Sequence, residues 1–339
     1  MTRVGPTSRD IAREAGVSQS TVSRALRRDP RVTEQTQLLV QEVAQRLGYV
    51  TNHAARSLKT RRTQTIGVVV ADLRNPYFLE VVDALRDELH LAGYRTFLVS
   101  DQQGSDDGSE LVDLLLGSVD GVVFASAQSA DTAATGFADL RMPVVLVNRE
   151  IESRPLDRVL SDYTAGGRLA AEHLVELGHR RIGLITGPSA MAVFRDREEA
   201  FRGTLAQLGV PFDERLRREG PFSYEVGEQL GAELMQGPDV PTAIFCADDL
   251  VAFGVLDAAQ RHGLRVPDDL SVMGYDDLTM AGWDRFGLTT VRQPMDEMAR
   301  AAARLVLGRI HGTDDSAEPQ RQVHPVRLVR RSSTGPARA

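Results

Sequence analysis

The chain has 339 residues, 42% of them hydrophobic, with a formal net charge of -7. That length exceeds a single core and predicts two or three domains that fold without staples. A lone cysteine, Cys246, excludes an intrachain disulfide and a cysteine-based zinc site and fits a reducing compartment. The opening MTRVGPTSRD lacks the apolar core of a signal peptide, and IGVVVA at 66–71 is too short to span a bilayer, so a cytoplasmic protein away from membranes is expected.

The charge is unevenly spread. Residues 1–62 hold twelve Arg or Lys against five Asp or Glu, whereas the rest of the chain holds 28 against 42. A basic head on an acidic body is the electrostatic footprint of a polyanion-binding module. In TSRDIAREAG, Thr7 or Ser8 can cap a helix whose Ile11, Ala12 and Ala15 share one face, and Gly16 can end it. Ser18 then caps a second helix, QSTVSRALRR, with Val22 and Leu26 turned inward. Asp29-Pro30 stops that helix, and Thr33 caps a third whose Leu39, Val43 and Leu47 are expected to close the core.

Two short helices joined by a tight turn form a helix-turn-helix, in which the second helix enters the major groove. Gln19 and Ser20 are therefore the specificity candidates, and Arg24 reaches a guanine edge or a phosphate. Thr7, Thr21, Ser23 and Thr33 are placed for the backbone phosphates, and the cap Ser18 joins them as a DNA-binding candidate. The basic stretch NHAARSLKTRRTQ at 52–64 has apolar residues for one helical turn and no core, and by itself it is a linker.

Apolar runs at 65–70, 95–100, 121–126, 143–148, 181–186, 242–247 and 270–275 alternate with helical patterns at 76–91, 164–177, 197–208, 248–262 and 294–310. Continuous Val/Ile/Leu runs mark buried parallel strands, so an open α/β sheet is expected. Ligands in such sheets collect at the carboxyl ends of the strands, where Asp72, Asp101, Asn148, Asp162, Asp248, Asp249 and Asp276 stand. Aspartate is also the ordinary cap of a following helix. The sequence has no GxGxxG, no P-loop, no HExxH spacing, and GPSAM at 187–191 lacks the second glycine of a nucleophile elbow. Acceptors, amides, arginines and aromatic faces together suit a polar, hydroxyl-rich small molecule; no cofactor or metal is implied. A soluble sugar- or nucleoside-binding protein, or a hydrolase on the same body, stands as the alternative.

The segment RDIAREAGVSQSTVSRALRRDPRVTEQTQLLVQEVAQRLGYVTNHAARSLKTRRTQTIGVVVADLRNPYF resembles the start of a LacI/GalR-family transcriptional regulator. GHRRIGLITGP, AIFCADDLVAFGVLDAA, VPDDLSVMGYDDL and LTTVRQP continue the likeness over roughly residues 7–333. The resemblance implies a three-helix DNA-binding domain at 1–50, a hinge helix and linker at 51–64, and a two-subdomain, type I periplasmic-binding-protein-like effector domain at 65–333. Its first subdomain would comprise about 65–162 and 291–320, its second about 163–290 and 321–333. It further implies a homodimer on a palindromic operator in double-stranded DNA, with Leu58 wedged into the minor groove, His53, Arg56 and Lys59 flanking it on the backbone, and Asn52 also among the DNA-binding residues. The absence of leucine heptads in VRRSSTGPARA favours a dimer over a tetramer.

By the same resemblance a small effector lies between the subdomains, against Tyr77, Asp162, Arg197, Phe222, Asp249 and Asp276; Asp72 and Asn148 join the effector-binding candidates from their strand-end positions. Arg197 and Asp276 would grip ligand hydroxyls or a polar ring edge, while Tyr77 and Phe222 would stack on an apolar face. The chain departs from the usual pattern in having Thr51 where proline is usual, Asn148 for aspartate, Tyr163 for asparagine, Asp248 for asparagine and Ala200 for glycine.

Overall fold

A computed structural model of the chain describes residues 6–26, 29–49, 62–101, 108–125, 130–151, 154–189, 191–236, 239–313 and 318–338. It separates into two compact units, Met1–Thr63 and Gln64–Ala339.

The first unit is three helices, α1 (Ser8–Glu14), α2 (Gln19–Ala25) and α3 (Glu34–Arg46). Thr7 and Asp10 form a reciprocal capping box on α1, and the Ser18 hydroxyl accepts the Thr21 amide of α2. Gly16, at φ +66°, makes the left-handed turn between them, a conformation that costs a side-chain-bearing residue more than glycine. Ile11, Val22, Ala25, Val32, Val40, Val43 and Ala44 form the core. Leu39 is 42% exposed, contrary to the expected inward stripe, and Val40 takes its place. The spacing 40, 43, 44, 47 follows the 3.6-residue period on one face, whereas a strict four-residue step drifts off it.

The second unit is an α/β body with two six-stranded sheets. Its first half runs β1 (Thr65–Val70), α4 (Pro76–Leu91), β2 (Arg95–Ser100), α5 (Ser109–Leu115), β3 (Gly121–Ala125), α6 (Ala130–Asp139), β4 (Val144–Val147) and β5 (Asp157–Ser161). The second half runs α7 (Tyr163–Glu176), β6 (Ile182–Thr186), α8 (Ala192–Gln207), β7 (Arg217–Glu219), α9 (Tyr224–Leu234), β8 (Ala243–Cys246), α10 (Asp249–Arg261), β9 (Ser271–Asp276) and β10 (Thr289–Arg292). The chain then returns through α11 (Met295–His311) and β11 (Arg321–His324) and ends with β12 (Arg327–Val329).

Sheet one has the order β11-β5-β4-β3-β1-β2, all parallel; sheet two has β12-β10-β9-β8-β6-β7, with only β12 antiparallel. Every residue of β1, β3, β4, β6, β8 and β9 is buried, as continuous apolar runs require when helices cover both faces. Residues 321–324, expected with the second half, pair with β5 in sheet one, and 291–292 belong to β10 in sheet two. The chain therefore crosses between the sheets three times, at residues 162, 293–294 and 325–326.

The last residues are sewn onto sheet two. Ser333 binds the Val272 carbonyl and the Thr289 amide, and the Thr334 hydroxyl meets Thr289 Oγ1 at 2.9 Å and His173 Nε2 at 2.9 Å. Burial, seconded by Arg330, pushes the His173 imidazole down from its ordinary 6.5 to about 4. The folded chain keeps the ring neutral at a pH where the unfolded chain protonates it. The stability tied to this ring is thus fully present above 6.5 and is lost as pH falls through 6.5 towards 4. Buried carboxyls with raised pKa values pull the other way, so the informative quantity is a difference: His173→Gln is expected to flatten the decline in unfolding midpoint between pH 6.5 and 4.

Candidate functional site

On the helical unit, Gln19, Ser20 and Arg24 are exposed, and Thr21 and Ser23 are half-buried. The hydroxyls of Ser18 and Thr33 accept backbone amides at the starts of their helices, and the Thr7 amide and hydroxyl both donate to the Asp10 carboxylate. Ser18 Oγ also lies 2.7 Å from Ser20 Oγ and 2.8 Å from Thr21 Oγ1, while Gln19 Nε2 donates to Ser8 Oγ at 2.8 Å. The start of α2 is thus a pre-organised polar tip in which Gln19 is held by α1. Asn52, His53, Arg56, Leu58 and Lys59 lie outside the described residues. Gln19→Ala is expected to relax base preference at one operator position by about 1–3 kcal/mol, with phosphate-dependent binding retained. A competition series on single-base operator variants measures it.

In the body, side chains from both halves converge on a cavity of about 50 Å³. Sheet one's half supplies Asn75, Tyr77, Phe78 and Asn148; sheet two's half supplies Tyr163, Val193, Phe194, Arg197, Phe222, Ala247, Asp248 and Asp276; the middle crossing supplies Gln293. These positions follow the carboxyl ends of β1, β4, β8 and β9, where a parallel sheet leaves a crevice. Local structure sets each one. Asn75 caps α4 through Oδ1, which accepts the Tyr77 amide at 2.9 Å, and this frees its Nδ2 to donate across the cleft to Asp248 Oδ2 at 3.0 Å. Asp248 caps α10 through Oδ1, accepting the amides of Leu250 at 2.6 Å and Val251 at 3.2 Å.

Asn148, at φ +51°, and Asp276, at φ +119°, both leave their strands with left-handed backbone, and neither is glycine. Such conformations cost free energy and concentrate at ligand clamps. Asn148 Oδ1 accepts the Tyr163 hydroxyl at 2.5 Å, and its Nδ2 donates to Tyr77 Oη and, at 2.8 Å, to Gln293 Oε1. Arg197, 3% exposed, lies with its guanidinium carbon 3.3 Å from the Tyr275 ring centroid and donates through Nη1 to the Ala247 carbonyl. Its Nε is buried with no hydrogen-bond partner. Phe194 and Phe222 meet edge to face, 4.7 Å between centroids, and close one wall.

Burial raises the carboxyls of Asp248 and Asp276, and for Asp276 the neighbouring Asp248 and Asp249 add to it. Burial also raises the Tyr77, Tyr163 and Tyr275 phenols, so they stay neutral donors. The cavity therefore offers carboxyl and amide acceptors, one cation, neutral hydroxyls and aromatic edges, which suits a polar ligand with several hydroxyls or ring heteroatoms. Among the described residues no group of three or more His, Cys, Asp or Glu could hold a metal ion.

Of the expected effector residues, Tyr77, Asn148, Arg197, Phe222 and Asp276 line the cavity. Asp249 does not: it is fully buried beneath, its carboxylate accepting the Thr290 hydroxyl at 2.6 Å and the Leu278 amide at 2.8 Å. Its neighbour Asp248 faces the cleft, because a cap residue projects beyond the helix end whereas the next residue packs beside the helix. Asp162 is half-buried and caps α7 through the Ala165 amide at 2.8 Å, and Asp72 pairs with Arg74 at 2.8 Å; neither lines the cavity. Asn75, Phe78, Val193, Phe194 and Gln293 were not expected there. The Asn-Pro start of α4 was the available signal for Asn75, and the helix at 197–208 beginning earlier, at Ala192, accounts for Val193 and Phe194.

A chain that carries both a helix-turn-helix unit and a two-sheet α/β body, with a polar cavity between the two halves of that body, defines a ligand-responsive DNA-binding regulator. The pattern of "Bacterial regulatory proteins, lacI family" matches residues 7–52, and that of "Periplasmic binding protein-like domain" matches residues 171–334. The HTH-type transcriptional repressor PurR of Actinobacillus pleuropneumoniae serotype 3 is 32% identical, covering 96% of this chain and 98% of that one. The HTH-type transcriptional regulator CelR of Thermobifida fusca is 35% identical, covering 97% and 98%. Among solved structures, a transcriptional regulator CelR–cellobiose complex superposes with TM-score 0.70 at 33% identity, covering 97% of this chain and 99% of that one. The lac repressor dimer bound to operator and the anti-inducer ONPF does so with TM-score 0.82 at 27% identity, covering 98% and 99%. The chain belongs to the lacI family of bacterial transcriptional regulators. None of its described helices is long and apolar enough to cross a membrane.

Proposed function

We propose that the chain is a cytoplasmic, non-enzymatic repressor that binds a palindromic operator as a homodimer and changes its affinity when a small polar effector enters the cavity between the two sheets. The observation that carries this reading is the convergence of Arg197, Asp248, Asp276, Asn148 and two phenols from both halves into one cavity, on a chain that also bears the α2 tip. A cavity of about 50 Å³ has room for about one or two waters, so a sugar-sized guest requires its walls to move. A ligand that prefers one arrangement of the halves then shifts operator affinity, and operator shifts ligand affinity by the same factor. The superposed structures carry cellobiose and ONPF, which sets the first compounds to try.

The test is a gel shift on the intergenic DNA upstream of the gene, with and without such a panel. The full chain is expected to bind and at least one sugar to change the binding. Unchanged binding by a chain lacking residues 1–62 overturns the repressor reading, and turnover of a sugar or nucleoside by that shortened chain favours an enzyme instead.

A further inference from the structure

Gln293 stands at the middle crossing, between β10 of sheet two and α11, which packs on β3, β4 and β5 of sheet one. It is 4% exposed, and its amide joins three separate parts of the body. Nε2 donates to Asp276 Oδ1 at 2.5 Å, at the end of β9 in sheet two. Oε1 accepts Asn148 Nδ2 at 2.8 Å, just past β4 in sheet one, and Ser161 Oγ at 2.7 Å, beside the first crossing. Its backbone amide adds a bond to the Asp276 carbonyl at 3.3 Å.

A carboxylate needs a donor and the Asn148 amide and Ser161 hydroxyl need an acceptor, and a primary amide is the side chain that supplies both at once. Asp276 and Asn148 are also cavity walls, and both are held in costly left-handed backbone. Any guest hydroxyl that takes the Asp276 carboxyl or the Asn148 amide competes with Gln293 for it, and what Gln293 loses is its hold on a crossing between the halves.

We propose that Gln293 is the positioning residue that links occupancy of the cavity to the arrangement of the two halves, by bridging Asp276, Asn148 and Ser161 across the middle crossing. This rests on the cavity being the effector site, but its test needs neither effector nor operator, so the two can fail separately.

Spin labels on Leu140→Cys in α6's half and Leu208→Cys in α8's half report the spread of distances between them in the full-length chain. Both leucines are exposed, and Cys246 is fully buried and escapes the label. Dilution with unlabelled chain keeps the signal within one protomer. Gln293→Met, which loses all three side-chain bonds, is expected to give a distribution about twofold wider than the parent. Thr290→Val, which removes a buried bond to Asp249 beneath the cavity, lowers the melting temperature but leaves the width unchanged. A parental width in Gln293→Met, or equal widening in Thr290→Val, overturns the proposal. Gln293→Glu, which keeps the acceptor and loses the donor, carries the same comparison if the methionine variant fails to fold.

Discussion

Gly254→Val is expected to cost the effector body more than about 3 kcal/mol, enough to remove a large part of a typical domain's stability. α9 and α10 touch backbone to backbone through a reciprocal pair of glycines. A Cβ on Gly254 would sit 2.1 Å from the Tyr224 carbonyl oxygen and 2.5 Å from the Glu228 nitrogen, and one on Gly227 would sit 2.1 Å from the Val251 carbonyl oxygen. No side chain can rotate out of the way, so the helices must separate and the core between them, including Val251 and Val255, must loosen. Even Gly254→Ala is expected to cost about 1–3 kcal/mol. Thermal unfolding of the full chain shows it as a lowered midpoint for the body; a midpoint unchanged in both variants would mean that the two helices are not in this contact.

Arg197→Ala carries the largest expected effect on ligand response. Among the described residues the guanidinium is the only cation in the cavity wall; it lies against Tyr275 and has a buried Nε without a partner. Charge-assisted hydrogen bonds contribute about 1.5–3 kcal/mol each, so losing one or two weakens ligand binding by about 10- to 1000-fold or more. The substitution also leaves the cavity's two carboxyls without their compensating charge, which raises both of them further and lowers stability. Operator binding without ligand is expected to persist, because the residues proposed to read bases, Gln19, Ser20 and Arg24, belong to the other compact unit. Loss of operator binding with ligand response intact would contradict the placement of Arg197 at the effector site.

The sequence disclosed those parts of the protein whose causes are local. Thr7, Ser18 and Thr33 announce three helix starts because a capping hydroxyl acts within three residues of itself. β1, β3, β4, β6, β8 and β9 announce themselves as unbroken apolar runs because both faces are covered. Arg321–His324 alternates exposed and half-buried residues at a sheet edge, so its pattern is weak, and the choice between sheets rests on pairing with β5 about 160 residues away. Of the residues the family resemblance implies, Arg197, Phe222 and Tyr77 stand on the cavity wall, and of the adjacent pair Asp248 and Asp249 it is Asp248 that lines it. Adjacent residues at a helix start point in different directions, and composition does not separate them. Gln293 in VRQP carried no signal of its own, since its importance lies in partners at positions 148, 161 and 276.

The central claim is that one chain couples the cavity to the operator-reading helix. Its most direct test is operator affinity measured at zero and at saturating ligand, in the parent chain and in Asp276→Asn, for a compound shown by calorimetry to bind the body. The account predicts a change of about 5-fold or more in the parent and none in the variant. A ligand that binds at the cavity yet leaves the parent's operator affinity unchanged would contradict it.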